Sequence, residues 1–188
     1  MRSRSFFKVA SAVLAFAMLG GCLVSETPLL DASNGNARPF NDGTYIGCSI
    51  SDDPEEDDCT TFTVKRLANG ALSFINEDEP EDPGEMRFRR IARGGYVVQA
   101  SDDDSYIYYY GAGDPSRFVL TLMECSKLPA ALREGLINSG ALEIDGDSFD
   151  VCAVKNLKGL TSAAKAYHRG QVSNEDEASI EFKPVPAE

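Results

Sequence analysis

Thr60-Thr61-Phe62-Thr63-Val64-Lys65-Arg66-Leu67 is followed by Ala68-Asn69-Gly70 and then by Ala71-Leu72-Ser73-Phe74-Ile75-Asn76. In the first run Phe62 and Val64 alternate with Thr61, Thr63 and Lys65, the period of a strand with one face buried and one face wet. Asn69-Gly70 readily adopts the positive φ angles of a tight hairpin turn, so the second run is expected to return antiparallel beside the first. Leu72 and Phe74 then fall on the inner face.

The same texture continues on both sides. Residues 43–49 predict a preceding strand. Downstream, 86–91 and 95–100 predict two strands joined through Arg93-Gly94-Gly95, and 106–110 and 117–125 predict two more. Strands punctuated by turns in this way imply an antiparallel meander. The pattern becomes helical at Pro129, which suits a first helical turn. Ala130, Leu132, Leu136 and Ile137 form a partial apolar stripe there, and Gly140 lies just past its end. Residues 141–144 and 148–154 predict a hairpin across Asp145-Gly146-Asp147. Asn156 then caps a second helix whose Leu157, Leu160, Ala164 and Tyr167 share a face, ending near Gly170. Residues 171–177 are polar, 179–182 predict a marginal last strand, and 184–188, with Pro184 and Pro186, a frayed tail. The expected fold class is α+β: a curved antiparallel β-sheet, a meander, with one or two short covering helices, in a single globular domain at 43–183.

Thirty Asp and Glu stand against 18 Lys and Arg, a formal net charge of −12. Such a field repels nucleic acid and favours cationic partners, so nucleic-acid binding is not expected. The acids gather at 52–58 and 77–85. Calcium takes carboxylate oxygens, but neither run has the alternation and glycine of an EF-hand loop, and solvated surface loops are the plainer reading. Neither a metal site nor a cofactor is expected.

At the N-terminus Arg2, Arg4 and Lys8 lead into an uncharged, mostly apolar run at 9–19, which ends in Leu19-Gly20-Gly21-Cys22. As a helix that run spans about 16 Å, half of a bilayer's hydrocarbon core, so it suits a cleaved export signal better than a permanent span. Leu19-Gly20-Gly21-Cys22 resembles the lipobox of bacterial lipoproteins. The resemblance implies that residues 1–21 are a signal peptide, that Cys22 is lipidated and opens the mature chain, and that the protein sits in the bacterial cell envelope on a lipid anchor. Leu23 is not the aspartate that often retains such proteins at the inner membrane of enteric bacteria, so the same resemblance implies the outer membrane. Thr27-Pro28, Asn34-Gly35-Asn36 and Arg38-Pro39 interrupt 22–42, which is expected as a flexible tether.

Setting Cys22 aside leaves Cys48, Cys59, Cys125 and Cys152, an even number in an exported chain. Four cysteines allow three connectivities. Cys48–Cys59 and Cys125–Cys152 are preferred because each joins neighbouring predicted elements. A four-cysteine zinc site is disfavoured by the absence of closely spaced pairs.

Three further groups invite a functional reading beside a duller one. Arg87 and Arg89 share a strand face opposite Met86 and Phe88 and, with Arg93, form a patch suited to a phosphate, carboxylate or anionic glycan; cross-strand pairing with acids is the commoner use. Tyr106, Tyr108 and Tyr110 make a candidate aromatic platform for a sugar or peptide, although tyrosine is also a good strand former. His168, the only histidine, lies near a helix end, where solvation is the plain reading. There is no Gly-x-Ser-x-Gly elbow, no His-Glu-x-x-His and no phosphate-binding glycine loop, so an enzyme is not expected. The function expected is that of a membrane-tethered envelope lipoprotein with a structural or binding role toward envelope proteins or glycans. The alternative is an acidic inhibitor of a basic, lysozyme-type cell-wall-degrading enzyme.

Overall fold

The computed structural model describes residues 21–50, 58–102, 104–144, 151–172 and 178–186. Residues 1–20 of the expected signal peptide, the acidic run at 52–57, Asp145-Gly146-Asp147 with Asp150, and the polar residues 173–177 lie outside the described residues.

Among the described residues the strands are β1 (Cys22–Ser25), β2 (Gly43–Ile50), β3 (Cys59–Arg66), β4 (Leu72–Asn76), β5 (Gly84–Ala92), β6 (Gly95–Asp102), β7 (Ser105–Asp114), β8 (Arg117–Leu122), β9 (Leu142–Ile144), β10 (Val151–Val154) and β11 (Ser179–Pro184). Two helices accompany them, α1 (Ala130–Asn138) and α2 (Leu157–His168). The Asn69-Gly70 hairpin forms, with Arg66 opposite Leu72. Leu67 N donates to Ala71 O at 2.9 Å to close the connection, and Gly70 takes φ +86°.

The expected α+β class with an open, curved meander is incorrect. Strand makes up 49% of the structure and helix 14%, and eight antiparallel strands close into a β-barrel. Strands β2 to β8 do follow one another as a meander, but β11 then pairs with β2 on one side and β8 on the other. The segment expected as a marginal last strand is therefore the closing stave. An open meander leaves the β2 and β8 edges with unpaired backbone groups, and inserting β11 satisfies both ladders at once. Pro184, expected in a frayed tail, pairs with Tyr45, and the next amide, Val185 N, donates to Thr44 O at 2.9 Å.

An eight-stranded barrel is just wide enough for its own side chains to fill. Here the filling is aromatic. Phe40 sits at the centre, its ring 4.8 to 5.8 Å from those of Tyr45, Phe74, Phe88, Phe118 and Phe182. Room for these rings is made by glycine: a Cβ on Gly47 would come within 2.9 Å of the Phe182 ring, and one on Gly111 within 2.7 Å of Phe118.

A second core lies outside the wall. The outward faces of β6 and β7 present Val97, Gln99, Tyr108 and Tyr110 to Leu23, Leu30 and the inner face of α2, where Leu160, Ala163, Ala164 and Tyr167 are buried. Asn156 caps α2 as expected, its Oδ1 accepting from Gly159 N at 2.9 Å. In the sheet the β9–β10 pair joins the barrel through β1, which lies parallel to β10 and antiparallel to β7.

The expected flexible tether at 22–42 is likewise corrected. Leu23 and Leu30 are wholly buried and Phe40 nearly so. The Leu29 and Leu30 amides both donate to Gln99 Oε1 at 2.8 Å, and Gln99 Nε2 donates back to Leu30 O at 3.1 Å. Apolar residues spaced through a Pro- and Asn-rich stretch have no helical or strand period, yet each finds a socket in the barrel or on its wall.

Candidate functional site

The barrel has two unlike mouths. At one of them β2, β4, β6 and β8 end, and β3, β5, β7 and β11 begin. The connections there include Glu77-Asp78-Glu79-Pro80-Glu81-Asp82-Pro83 and, between β6 and β7, Asp102 and Asp104, with no lysine or arginine among these residues. Asp58, Glu77, Asp78 and Asp104 are exposed. The end of β2 and the start of β3, which flank 51–57, and the start of β11 belong to this mouth too.

At the opposite mouth the sign reverses. Arg66 ends β3 and Arg117 opens β8, while Arg117 and the nearby Lys183 both pair with Glu181. Arg38, Arg90 and Arg93 line an open cleft of about 540 Å³ together with Gly94, Tyr96, Gly113, Asp114 and Pro115. Each is placed by a different piece of local structure. Arg38 lies two residues before the central Phe40. Arg90 stands opposite Tyr96 in the β5–β6 ladder, on the inward-facing row that also holds Phe88, just before a register shift at the end of β5. Arg93 is in the β5–β6 turn. The guanidinium of Arg90 lies 5.6 Å from the Tyr96 ring centroid, and its Nη2 donates to the Tyr96 hydroxyl at 3.1 Å. Asp114 is engaged locally, accepting from Ser116 N at 2.8 Å and Ser116 Oγ at 2.6 Å, and these bonds hold its carboxyl below the usual range.

The expected arginine patch is thus rearranged. Arg87 and Arg89 do share a face, but Arg87 reaches Glu85 at 3.4 Å and Asn69 O at 3.1 Å, and Arg89 donates to Asn34 O at 3.2 Å. Their guanidiniums fasten the folded N-terminal segment and the β3–β4 connection. Arg93 belongs instead with Arg38 and Arg90. Alternation alone could not show this: Arg38 stands apart in sequence, and Arg90 lies on the row that reads as core.

Tyr106, Tyr108 and Tyr110 also share a face, yet they do not form an open platform. Tyr108 is fully buried and shares a 2.6 Å hydrogen bond with Ser25 Oγ. Tyr110 pairs with His168, Oη to Nδ1 at 2.9 Å, and packs 6.0 Å from Tyr167. Tyr106 borders a smaller cleft of about 330 Å³, where Arg87 meets Asp31 and Glu85. His168 is exposed beside Tyr110.

Cys22 opens β1 beside the end of β8, opposite Val151 and bridged to Glu124. Burial first, and the Glu124 carboxylate second, push its thiol pKa up. On the next inward row the Tyr109 hydroxyl is pushed up to about 12, chiefly by burial and further by Cys22 and Asp102. A raised thiol pKa leaves little thiolate at neutral pH, the reverse of what a nucleophilic cysteine needs. Cys48–Cys59 and Cys125–Cys152 are joined as expected, the first directly across the β2–β3 ladder and the second between the segment after β8 and β10. Among the described residues no group of three His, Cys, Asp or Glu side chains is placed to hold a metal, and no helix is long and apolar enough to cross a membrane.

No protein-family model, curated protein or solved structure matches this chain.

Proposed function

We propose that this chain is a lipid-anchored lipoprotein of the bacterial envelope, acylated at Cys22, whose barrel serves as a binding or structural module without catalytic chemistry. The carrying observation is the sequence Leu19-Gly20-Gly21-Cys22, whose cysteine opens β1, the first strand among the described residues. The two disulfides fit an oxidising compartment. The aromatic filling of the barrel argues against a ligand inside it, and so directs binding to the mouths and outer wall. By the identity of Leu23 the membrane is the outer one.

The test is processing. Intact-mass measurement on the membrane-extracted protein is expected to show a chain starting at Cys22 with added acyl mass, and Cys22→Ser is expected to remove that mass and leave the precursor uncleaved. A wild-type protein that starts elsewhere and carries no lipid would end the proposal.

The inhibitor reading gains one observation, the convergence of acidic connections on a single mouth, which suits a cationic cleft. Cys22 lies beside that same mouth, however, so the anchor would hold those acids toward the membrane. Addition of a lysozyme to the extracted protein, followed by co-sedimentation, separates the two readings.

A further inference from the structure

We infer that the mouth lined by Arg38, Arg90 and Arg93 is a binding site for a phosphate-bearing anion. The inference goes beyond the anchor and does not depend on it.

The first argument is preorganisation. Tyr96 is almost wholly buried, with its ring packed 5.6 Å from Phe118. The stacked and hydrogen-bonded Arg90 is therefore held against a fixed surface. An arginine whose planar fork is already oriented loses less freedom when it grips an oxyanion. Arg38 is tied at its base by Pro39 and Phe40, both buried.

The second argument is charge. Arg38, Arg90 and Arg93 form no ion pair among the described residues. Among the described residues the cleft's one carboxylate, Asp114, is occupied by Ser116. Three guanidiniums against one carboxylate leave a formal surplus of two positive charges, in a chain whose total is −12. A phosphate dianion matches that surplus, and its oxygens accept the paired N–H donors of arginine. A lone carboxylate would neutralise only half of it.

The third argument is polarity along the barrel. Acidic connections crowd the other mouth, so the field falls from one end to the other and steers a small anion to the arginine end. An extended polyanion would run onto the acidic remainder of the surface. The fitting ligand is compact, carrying its phosphate at an end, and the cleft of about 540 Å³ has room for one.

The test uses the intact protein and two probes: inorganic pyrophosphate, and phosphatidylcholine vesicles containing phosphatidic acid. Saturable pyrophosphate binding, with amide shifts concentrated at Gly94 and Gly113, is expected. Arg38→Ala and Arg93→Ala, both at exposed positions, should each weaken it about tenfold. Lys158→Ala, an equal loss of charge on exposed α2 surface, should leave it unchanged within about twofold. The same arginine dependence seen with vesicles alone would support the site and assign its phosphate to a lipid headgroup. Failure to bind either probe, or binding that ignores Arg38 and Arg93 or falls equally in Lys158→Ala, would overturn the inference.

Discussion

Inside the barrel, Phe40 is fixed by five rings around it; on the outer wall, Leu29 and Leu30 are fixed by amide hydrogen bonds to one glutamine, Gln99. The two cores solve the same problem by different means. A closed barrel surrounds its contents, so shape alone determines where a ring can sit. A segment laid on an outer wall is covered on one side only, and polar pairing together with a disulfide must supply the register that enclosure cannot. Tyr108, Ser25 and Gln99 form that buried polar seam, and Cys125–Cys152 supplies the covalent tie.

The contrast is most severely tested at Phe40. Phe40→Ala is expected to destabilise the protein by about 3–5 kcal/mol, because the surrounding staves cannot collapse into the vacated centre. Urea unfolding should show the midpoint falling for barrel and outer layer together, since the wall supports both. Smaller effects should follow from the disulfides. Cys48–Cys59 links residues already opposed in a strand ladder and closes a short loop, worth about 3 kcal/mol by chain entropy. Cys125–Cys152 closes a longer one, worth about 3.5 kcal/mol, and is buried in the outer core. Cys125→Ala is therefore expected to lower the unfolding midpoint more than Cys48→Ala. Hydrogen exchange should accelerate first in α2 and β10 for the former, and at the β2–β3 end for the latter.

The smallest expected effect lies at the seam between the cores. Glu124 is buried where the chain leaves β8, and burial raises its carboxyl pKa, with Lys127 and Ser126 only partly opposing. The folded state then holds this proton more tightly than the unfolded chain does. Stability contributed by the protonated form is complete below the ordinary glutamate range and is lost as pH rises through the folded value. Glu124→Gln is expected to raise the unfolding midpoint at pH 7, with the gap to the unchanged protein closing as pH falls toward about 4.3.

Local pattern revealed much of the wall. Phe62, Val64, Leu72 and Phe74 point inward as their alternation indicates, and Asn156 caps the helix it precedes. Closure was not legible, because nothing in Ser179-Ile180-Glu181-Phe182 marks a strand that must pair on both edges; that depends on two partners far away in sequence. Phe40 was hidden for a related reason. A single ring entering a barrel from a loop has no period, and the prolines and asparagines around it read as linker. At the candidate site, alternation correctly grouped Arg87 with Arg89 and Tyr106 with Tyr108 and Tyr110. It could not show that residues 22–37 cover that face, nor that Arg38 joins Arg90 and Arg93 across the rim.

The burial of Leu23, immediately after Cys22, bears on how far this protein can search. A lipoprotein on a coil of about 20 residues would sweep a hemisphere some 25 Å in radius and could meet targets well away from its own bilayer. With the proposed acyl group on Cys22, this chain has no such leash, because β1 is hydrogen-bonded into the sheet from its first residue. Lipid and barrel would diffuse as one rigid post. The arginine mouth, about 20 Å farther along β8 by strand rise, would stay at a nearly constant height, and the protein would scan a plane parallel to the membrane instead of a volume.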